Sequence, residues 1–341
     1  MKRQYLLLLC LSVGLHLTSL AQAQSPLQTL HNAAKAEGEV VVYSPGKEIA
    51  ALAEVFSKDF PGVRVNFFEI REDDYLPRIL AEIKQGIVSL DVGSTRYSVI
   101  FPLLKRYLLQ SYNDWNKIFK DLDPGAVSRD GRFLWYYDLV FNIAYNTGLV
   151  KPEEVPTSWD DLLTPKWKGK IILEPRAMAF AYLGLKWGKE KMVNYVKRLK
   201  AQNPNFVKGG TAVIQQLAAG AAPLAVGAYA HRTMQLEQQG APVGWAKTVS
   251  PIGATVNDLF IMKGARHPNA AKLFAAWVAS DKAQSLLNTK YFMGAVYPGS
   301  PYVVMREIEK HKVEVIKETL DNYEQAAALN QLAVEELGVF K

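Results

Sequence analysis

The sequence predicts an α/β protein of two lobes. Two observations carry this expectation. Short apolar runs of strand character alternate with amphipathic helical segments, and the alternation occurs in two separate stretches of the chain. The length of 341 residues suits two domains of ordinary size.

Glu39 to Ser44 (EVVVYS) is a buried strand, and Glu48 to Phe60 sets Ile49, Leu52, Val55 and Phe56 on one helical face. Pro61-Gly62 breaks that helix, and Val63, Val65 and Phe67 then alternate as a strand. Asp73 or Asp74 caps the next helix, whose apolar stripe is Ile79, Leu80 and Ile83, and Val88 to Val92 reads as a third strand. The order β-α-β-α-β implies a parallel sheet with helices on its faces.

The second stretch follows the turn Asn146-Thr147-Gly148. Ser158 with Asp161 caps a short helix, Lys170 to Leu173 is a strand, and Ala179 to Lys200 reads as one long helix. Gly209-Gly210-Thr211 opens another helix, and Pro223 to Tyr229 and Val256 to Met262 read as strands. Helices are expected at Asn269 to Ala279 and Asp281 to Asn288, with a final helical stretch from Val303 to about Leu337. There is no internal repeat, heptad array or low-complexity tract.

The N-terminus reads as an export leader. Lys2 and Arg3 precede an apolar run from Tyr5 to Leu15, and Ala21-Gln22-Ala23 supplies small residues for cleavage. Cleavage is expected after Ala23, so that Gln24 starts the mature chain. Cys10, the one cysteine, lies inside this leader without the small residues that precede a lipidated cysteine. The mature chain therefore has no disulfide, cysteine nucleophile or thiolate ligand. The formal net charge of +7 is modest and forms no basic stripe, which sets nucleic acid aside and suits an anionic ligand or an anionic membrane surface.

Catalytic signatures are missing. The sequence has no P-loop, no G-x-G-x-x-G fingerprint, no G-x-S-x-G elbow and no H-E-x-x-H motif. His31, His231, His267 and His311 are scattered without metal-ligand spacing, and the carboxylate pairs Asp73-Asp74 and Asp160-Asp161 read as helix caps. His231 is expected to be exposed at a helix start. An enzyme is not expected, nor a cofactor or a resident metal.

Five blocks carry a family resemblance: VVVYSPGKEIAALAEVFSKDFPGVRV, LAEIKQGIVSLDV, SWDDLLTPKWKGKIILEPRA, GGTAVIQQLAAGAAPLAVGAYA and HPNAAKLFAAWVASDKAQSLL. In these, in this order, the chain resembles the ferric-iron-type periplasmic solute-binding proteins of ABC importers, within extracellular solute-binding family 1. The resemblance covers nearly all of the mature chain. It implies the two-lobed type II periplasmic-binding-protein fold with two crossing hinge strands, near Asn142 to Tyr145 and Thr255 to Phe260. One lobe would comprise residues 24–141 and 255–298, and the other 142–254 and 299–341, after a signal peptide at 1–23. It further implies a periplasmic protein, expected as a monomer, that closes on a small-molecule ligand and docks on an ABC permease in the inner membrane. A sensor subunit presenting its loaded form to a membrane kinase would use the same cleft.

The iron-binding members of that family use hard oxygen ligands, commonly two adjacent tyrosines with a histidine and a glutamate. Here the tyrosine pair reads Tyr229-Ala230, the histidine position falls near Gly46-Lys47 and the glutamate position falls at Arg96. A guanidinium opposes a trivalent cation. Arg71, Arg96 and Arg176 all follow strand ends, where open α/β sheets bind ligands, and their planar forks suit carboxylate or phosphate. The expected ligand residues are Tyr43, Ser44, Arg71, Arg96, Tyr137, Arg176, Thr211 and Tyr229. The expected ligand is a small organic anion of carboxylate or phosphonate type. The alternative is ferric iron held by Tyr229 with exogenous anions.

Overall fold

The computed structural model describes residues 24–120, 122, 124–176, 178–297 and 300–339. The leader expected at 1–23 lies outside the described residues. α1 (Pro26–Glu37) starts at Ser25, whose hydroxyl accepts the Gln28 amide, and stops at Gly38 in the left-handed region (φ 79°). Then come β1 (Glu39–Ser44), α2 (Glu48–Asp59), β2 (Arg64–Glu69), α3 (Glu72–Lys84), β3 (Val92–Thr95) and α4 (Tyr97–Lys105). β1 pairs in parallel with both β2 and β3, as the alternating pattern requires.

β4 (Phe133–Asn146) leads into the second half: β5 (Ile171–Leu173), α5 (Met178–Trp187), α6 (Lys189–Lys200), β6 (Asn205–Phe206), α7 (Gly210–Ala218), β7 (Leu224–Tyr229), α8 (Ala230–Gln238) and β8 (Val243–Trp245). β9 (Ile252–Ile261) returns the chain to the first sheet and is followed by α9 (Pro268–Val278), α10 (Asp281–Tyr291), α11 (Val303–His311), β10 (Val315–Lys317) and α12 (Tyr323–Leu337). The strand order is β2-β1-β3-β9-β4-β7-β5-β6, with β10 on β9 and β8 on β4.

Two long strands join the lobes. β4 runs antiparallel to β9 from Phe133 to Val140, then changes partners and pairs with β7 from Phe141 to Tyr145, with a register shift at Asn142/Ile143. β9 pairs with β3 near its end and with β10 near its start. Each half-sheet is covered on both faces. In the first lobe Val40, Val42, Phe56, Phe274 and Trp277 pack on one side, and Tyr75, Ile79, Ile100, Leu103 and Phe260 on the other. In the second, Leu162, Phe180, Val196, Leu224 and Leu329 form one core, and Ile172, Val213, Leu217 and Ala225 another. Burying each such side chain is worth roughly 1.5–3 kcal/mol, so each lobe has a core of its own. α12 packs its Ala326, Leu329, Ala333 and Leu337 against the second lobe.

Four expectations are corrected. The helix expected over 179–200 is two, because Gly188 between them has φ 86°. The strand expected at Val88 to Val92 is shifted to Val92–Thr95, since register with β1 and β9 begins only at Val92. The final helical stretch is interrupted by Lys312 in the left-handed region and by β10. Ser158 does not cap its helix; the Asp161 carboxylate instead accepts the Thr157 and Ser158 amides at 2.8 and 3.0 Å, before a 3-10 turn at Asp160–Leu163.

Candidate functional site

A cavity of about 460 Å³ opens between the lobes at the carboxyl ends of β1, β3 and β7. This is where an α/β sheet offers helix starts and loops to a ligand. Its volume falls in the range of small-molecule sites. From the first lobe it receives Gly46, Lys47, Glu48, Glu69 and Arg96, and from the strands that cross between the lobes Tyr137, Leu139 and Asn257. The second lobe supplies Thr211, Tyr229, His231, Arg232 and Gln235, and Tyr291 and Met293 complete the wall.

Four helices begin at this cavity. Lys47 precedes α2, Arg96 precedes α4, Gly209 precedes α7 and Tyr229 precedes α8, and none of the four starts has a side-chain cap. Their first-turn amides lack intrahelical partners and carry the positive end of the helix dipole. Gly210 permits the close fit at α7: a Cβ there would stand 2.6 Å from the Tyr229 ring. Tyr229 stacks on His231 with centroids 5.7 Å apart and planes 14° apart.

Of the eight expected ligand residues, the structure brings Arg96, Tyr137, Thr211 and Tyr229 to the cavity wall. The other four are placed elsewhere. Tyr43 is buried on the far face, where its hydroxyl meets Ser89 and Arg78 at 3.0 and 2.7 Å. Ser44 is buried and its hydroxyl accepts the Gly46 amide at 3.1 Å, so it shapes the loop beside the cavity. Arg71 precedes α3 with its side chain 79% exposed, 3.9 and 3.7 Å from Asp73 and Asp74. Arg176 pairs with Glu174 at 2.8 Å, and the same carboxylate accepts the Gly209 amide at 3.0 Å. That pairing consumes the Arg176 charge in fixing the approach to α7.

Arg96 behaves differently. Its guanidinium lies 3.8 Å from Glu72, a longer contact than a hydrogen bond, and the Glu72 carboxylate is already engaged by Thr95 and Ser98 at 2.9 and 2.8 Å. Burial opposes its charge, but Glu72 and the Tyr229 and Tyr137 phenols around it hold its pKa above the ordinary value. Arg232 donates to Gln235 at 2.8 Å, and Lys47 reaches Glu69 at 3.6 Å.

Sequence reasoning missed Lys47, Glu48, His231, Arg232 and Asn257. His231 was expected to be exposed and is instead 2% exposed; burial, aided by the Arg232 charge, pushes its pKa down to about 3, so it is neutral. Glu48 reads in sequence as an acidic first-turn residue, yet its carboxyl is buried at the cavity, where desolvation raises its pKa against the opposing Tyr137 hydroxyl and Arg232 charge. The glycine two residues earlier was the available signal, since a Cβ at Gly46 would collide with the Glu48 carboxyl. Among the described residues, no group of three or more His, Cys, Asp or Glu is arranged to hold a metal ion. Burial and the neighbouring Glu48 push the Tyr137 phenol well above its ordinary pKa, which makes it a reluctant phenolate.

Two α/β lobes joined by crossing strands around a polar, ligand-sized cavity define a two-lobed binding protein of the type II periplasmic class. The model of the bacterial extracellular solute-binding protein family matches residues 100–319, and the chain belongs to that family. It is 31% identical over 140 residues to an uncharacterized protein of Haemophilus influenzae, a match spanning 39% of this chain and 40% of that relative. It is 24% identical to iron uptake protein A1 of Synechocystis sp. over 70% of each chain. With the Fe(3+)-binding periplasmic protein of Serratia marcescens it shares 23% identity over 89% of this chain and 90% of that one. Among solved structures, iron-bound HitA from Pseudomonas aeruginosa superposes with a TM-score of 0.71 at 16% identity, covering 88% of this chain and 99% of HitA. AfuA from Actinobacillus pleuropneumoniae, solved with exogenous fructose-6-phosphate, gives 0.64 at 21% identity, covering 89% and 99%. The family is one of transport proteins rather than enzymes. No helix among the described residues is long and apolar enough to cross a membrane.

Proposed function

We propose that this chain is the periplasmic solute-binding component of an ABC importer and captures a small organic anion, a carboxylate or a phosphate or phosphonate, in the interlobe cavity. The observation that carries the reading is the meeting of Arg96, Arg232 and Lys47 with four uncapped helix starts in one cavity. Helix N-termini and guanidinium forks both favour an anion. Arg96 comes from one side of the cavity and Thr211, Tyr229 and Arg232 from the other, so an anion touching both sets favours closure of the lobes about β4 and β9. We place the lobe boundary at Val140–Phe141 of β4, where pairing passes from β9 to β7. The closed, loaded monomer is the form a permease would recognise.

Titration calorimetry of the mature chain with a panel of small carboxylates and phosphates tests this. Binding that Arg96→Glu abolishes, with the empty protein's melting temperature kept, supports it; no binding by any anion in the panel contradicts it.

A second reading is ferric binding through Tyr229 with exogenous anions. The phenols of Tyr137, Tyr229 and Tyr291 share the cavity wall, and two relatives are named for iron. Against it stand Arg96 in the same cavity and the raised pKa of Tyr137. A coloured ferric complex lost in Tyr229→Phe would establish it.

A further inference from the structure

Three buried polar atoms on residues lining the cavity have no hydrogen-bond partner among the described residues: Glu48 Oε1, Asn257 Nδ2 and His231 Nδ1. All three residues are 5% exposed or less. Native proteins leave few such groups, and each one left calls for a partner. Of the unpartnered buried side-chain atoms among the described residues, these three belong to residues that line one cavity. Asn257 is paired with Tyr137 across the β4/β9 ladder, and the Tyr137 hydroxyl interacts with Glu48.

The chemistry of the three atoms is mixed. A carboxylate oxygen accepts, an amide nitrogen donates, and a neutral imidazole nitrogen does either according to its tautomer. An ammonium group could serve Glu48 but not the Asn257 amide. A hydrocarbon could serve neither. A hydroxyl donates and accepts, so a hydroxylated chain suits all three.

We propose that Glu48, Asn257 and His231 form a second subsite of this cavity, which selects an anion bearing hydroxyl groups beside its acid group, a polyol carboxylate or polyol phosphate, over the same acid on a plain hydrocarbon chain. The proposal rests on the organic-anion reading and narrows its ligand class. Arg96, Arg232 and the helix starts hold the acid group, and Glu48, Asn257 and His231 read the hydroxyls. Gly46 belongs to the device, because only a residue without a Cβ leaves room for the Glu48 carboxyl in its observed position.

The test is calorimetric titration of the mature chain with matched pairs that differ only in hydroxyl groups: glycerol 3-phosphate against propyl phosphate, and gluconate against hexanoate. The hydroxylated member of at least one pair is expected to bind about tenfold or more tightly, the effect of satisfying one or two buried groups. Glu48→Met should reduce that preference to about twofold or less. Gly46→Ala, which displaces the carboxyl without removing it, should reduce the preference in the same direction, and it keeps the test open if Glu48→Met does not fold. The phosphate and carboxylate pairs separate the two kinds of acid. Equal binding of both members of every pair that binds overturns the subsite and leaves the anion reading standing. Failure of all four compounds, with ferric ion bound instead, overturns both.

Discussion

The two ends of the first lobe's sheet treat buried polar groups in opposite ways. At the amino ends of the strands, Asp91 is 2% exposed and fully engaged: its carboxylate accepts the Val41 amide at 2.8 Å and the His267 amide at 3.0 Å, and pairs with the His267 ring at 2.7 Å. Glu37 beside it accepts the Asn269 and Ala270 amides at 3.1 and 2.7 Å and so caps the start of α9. At the carboxyl ends, Glu48 Oε1 and Asn257 Nδ2 are as deeply buried and have no partner among the described residues. The desolvation of such groups is compensated inside the protein at one end and not at the other. Satisfied buried polarity anchors the fold at one end; unsatisfied buried polarity at the other end belongs to residues of the cavity wall.

Substitutions at the two ends should separate stability from affinity. The largest effect on stability belongs to Asp91→Ala. It strands two backbone donors and the His267 ring, and should cost about 3–5 kcal/mol in denaturant unfolding, with ligand affinity in the surviving folded protein unchanged. A small loss there would mean that the amino end is not the anchored one.

The largest effect on binding belongs to Arg96→Glu. Replacing this half-buried cation by a carboxylate should weaken anion binding by about 100-fold or more and leave the empty protein's melting temperature nearly unchanged. Calorimetry and thermal unfolding of the same sample check both halves.

Titration sharpens the comparison next. His231 is held down to about 3 by burial, so its contribution to stability is present above the ordinary imidazole value of about 6.5 and is lost as pH falls below it towards 3. Asp258 on β9 is pushed up to about 8 by burial, an effect that Lys317 opposes. Its contribution is present below the ordinary carboxylate value and is lost as pH rises through 8. Each single group can tilt the melting temperature by about 2–4 °C per pH unit at most. His231→Gln should flatten the acid limb and Asp258→Asn the alkaline limb; if both variants keep the wild-type profile, the burial argument fails at both residues.

The smallest effect is expected at Gly210→Ala. The added Cβ would press on the Tyr229 ring, so affinity should fall by roughly threefold to tenfold, within the cost of a modest packing shift, with the fold intact.

Much of the fold was legible in the sequence because β1, α2, β2 and α3 are bounded by local signals: apolar periodicity, Pro61-Gly62 and acidic helix starts. β4 was not, because a 14-residue strand that serves two lobes is buried along nearly its whole length, polar Asp138, Asn142 and Asn146 included, and carries no alternation to read. The site was half legible. Arg71 and Arg96 look alike in sequence, each following a strand and preceding a helix, yet one is exposed beside two aspartates and the other faces the cavity. Glu48 and His231 looked like ordinary helix-start residues because burial at a helix start depends on chain distant in sequence, such as Tyr136 and Tyr137 beside Glu48, which the helix pattern does not encode.

The central claim is that the interlobe cavity holds an organic anion. Native mass spectrometry of the gently purified mature protein, with and without Arg96→Glu, tests it most directly. The wild-type protein is expected to carry a small organic acid that is missing from the variant; a ferric adduct retained in Arg96→Glu and lost in Tyr229→Phe would overturn the anion reading.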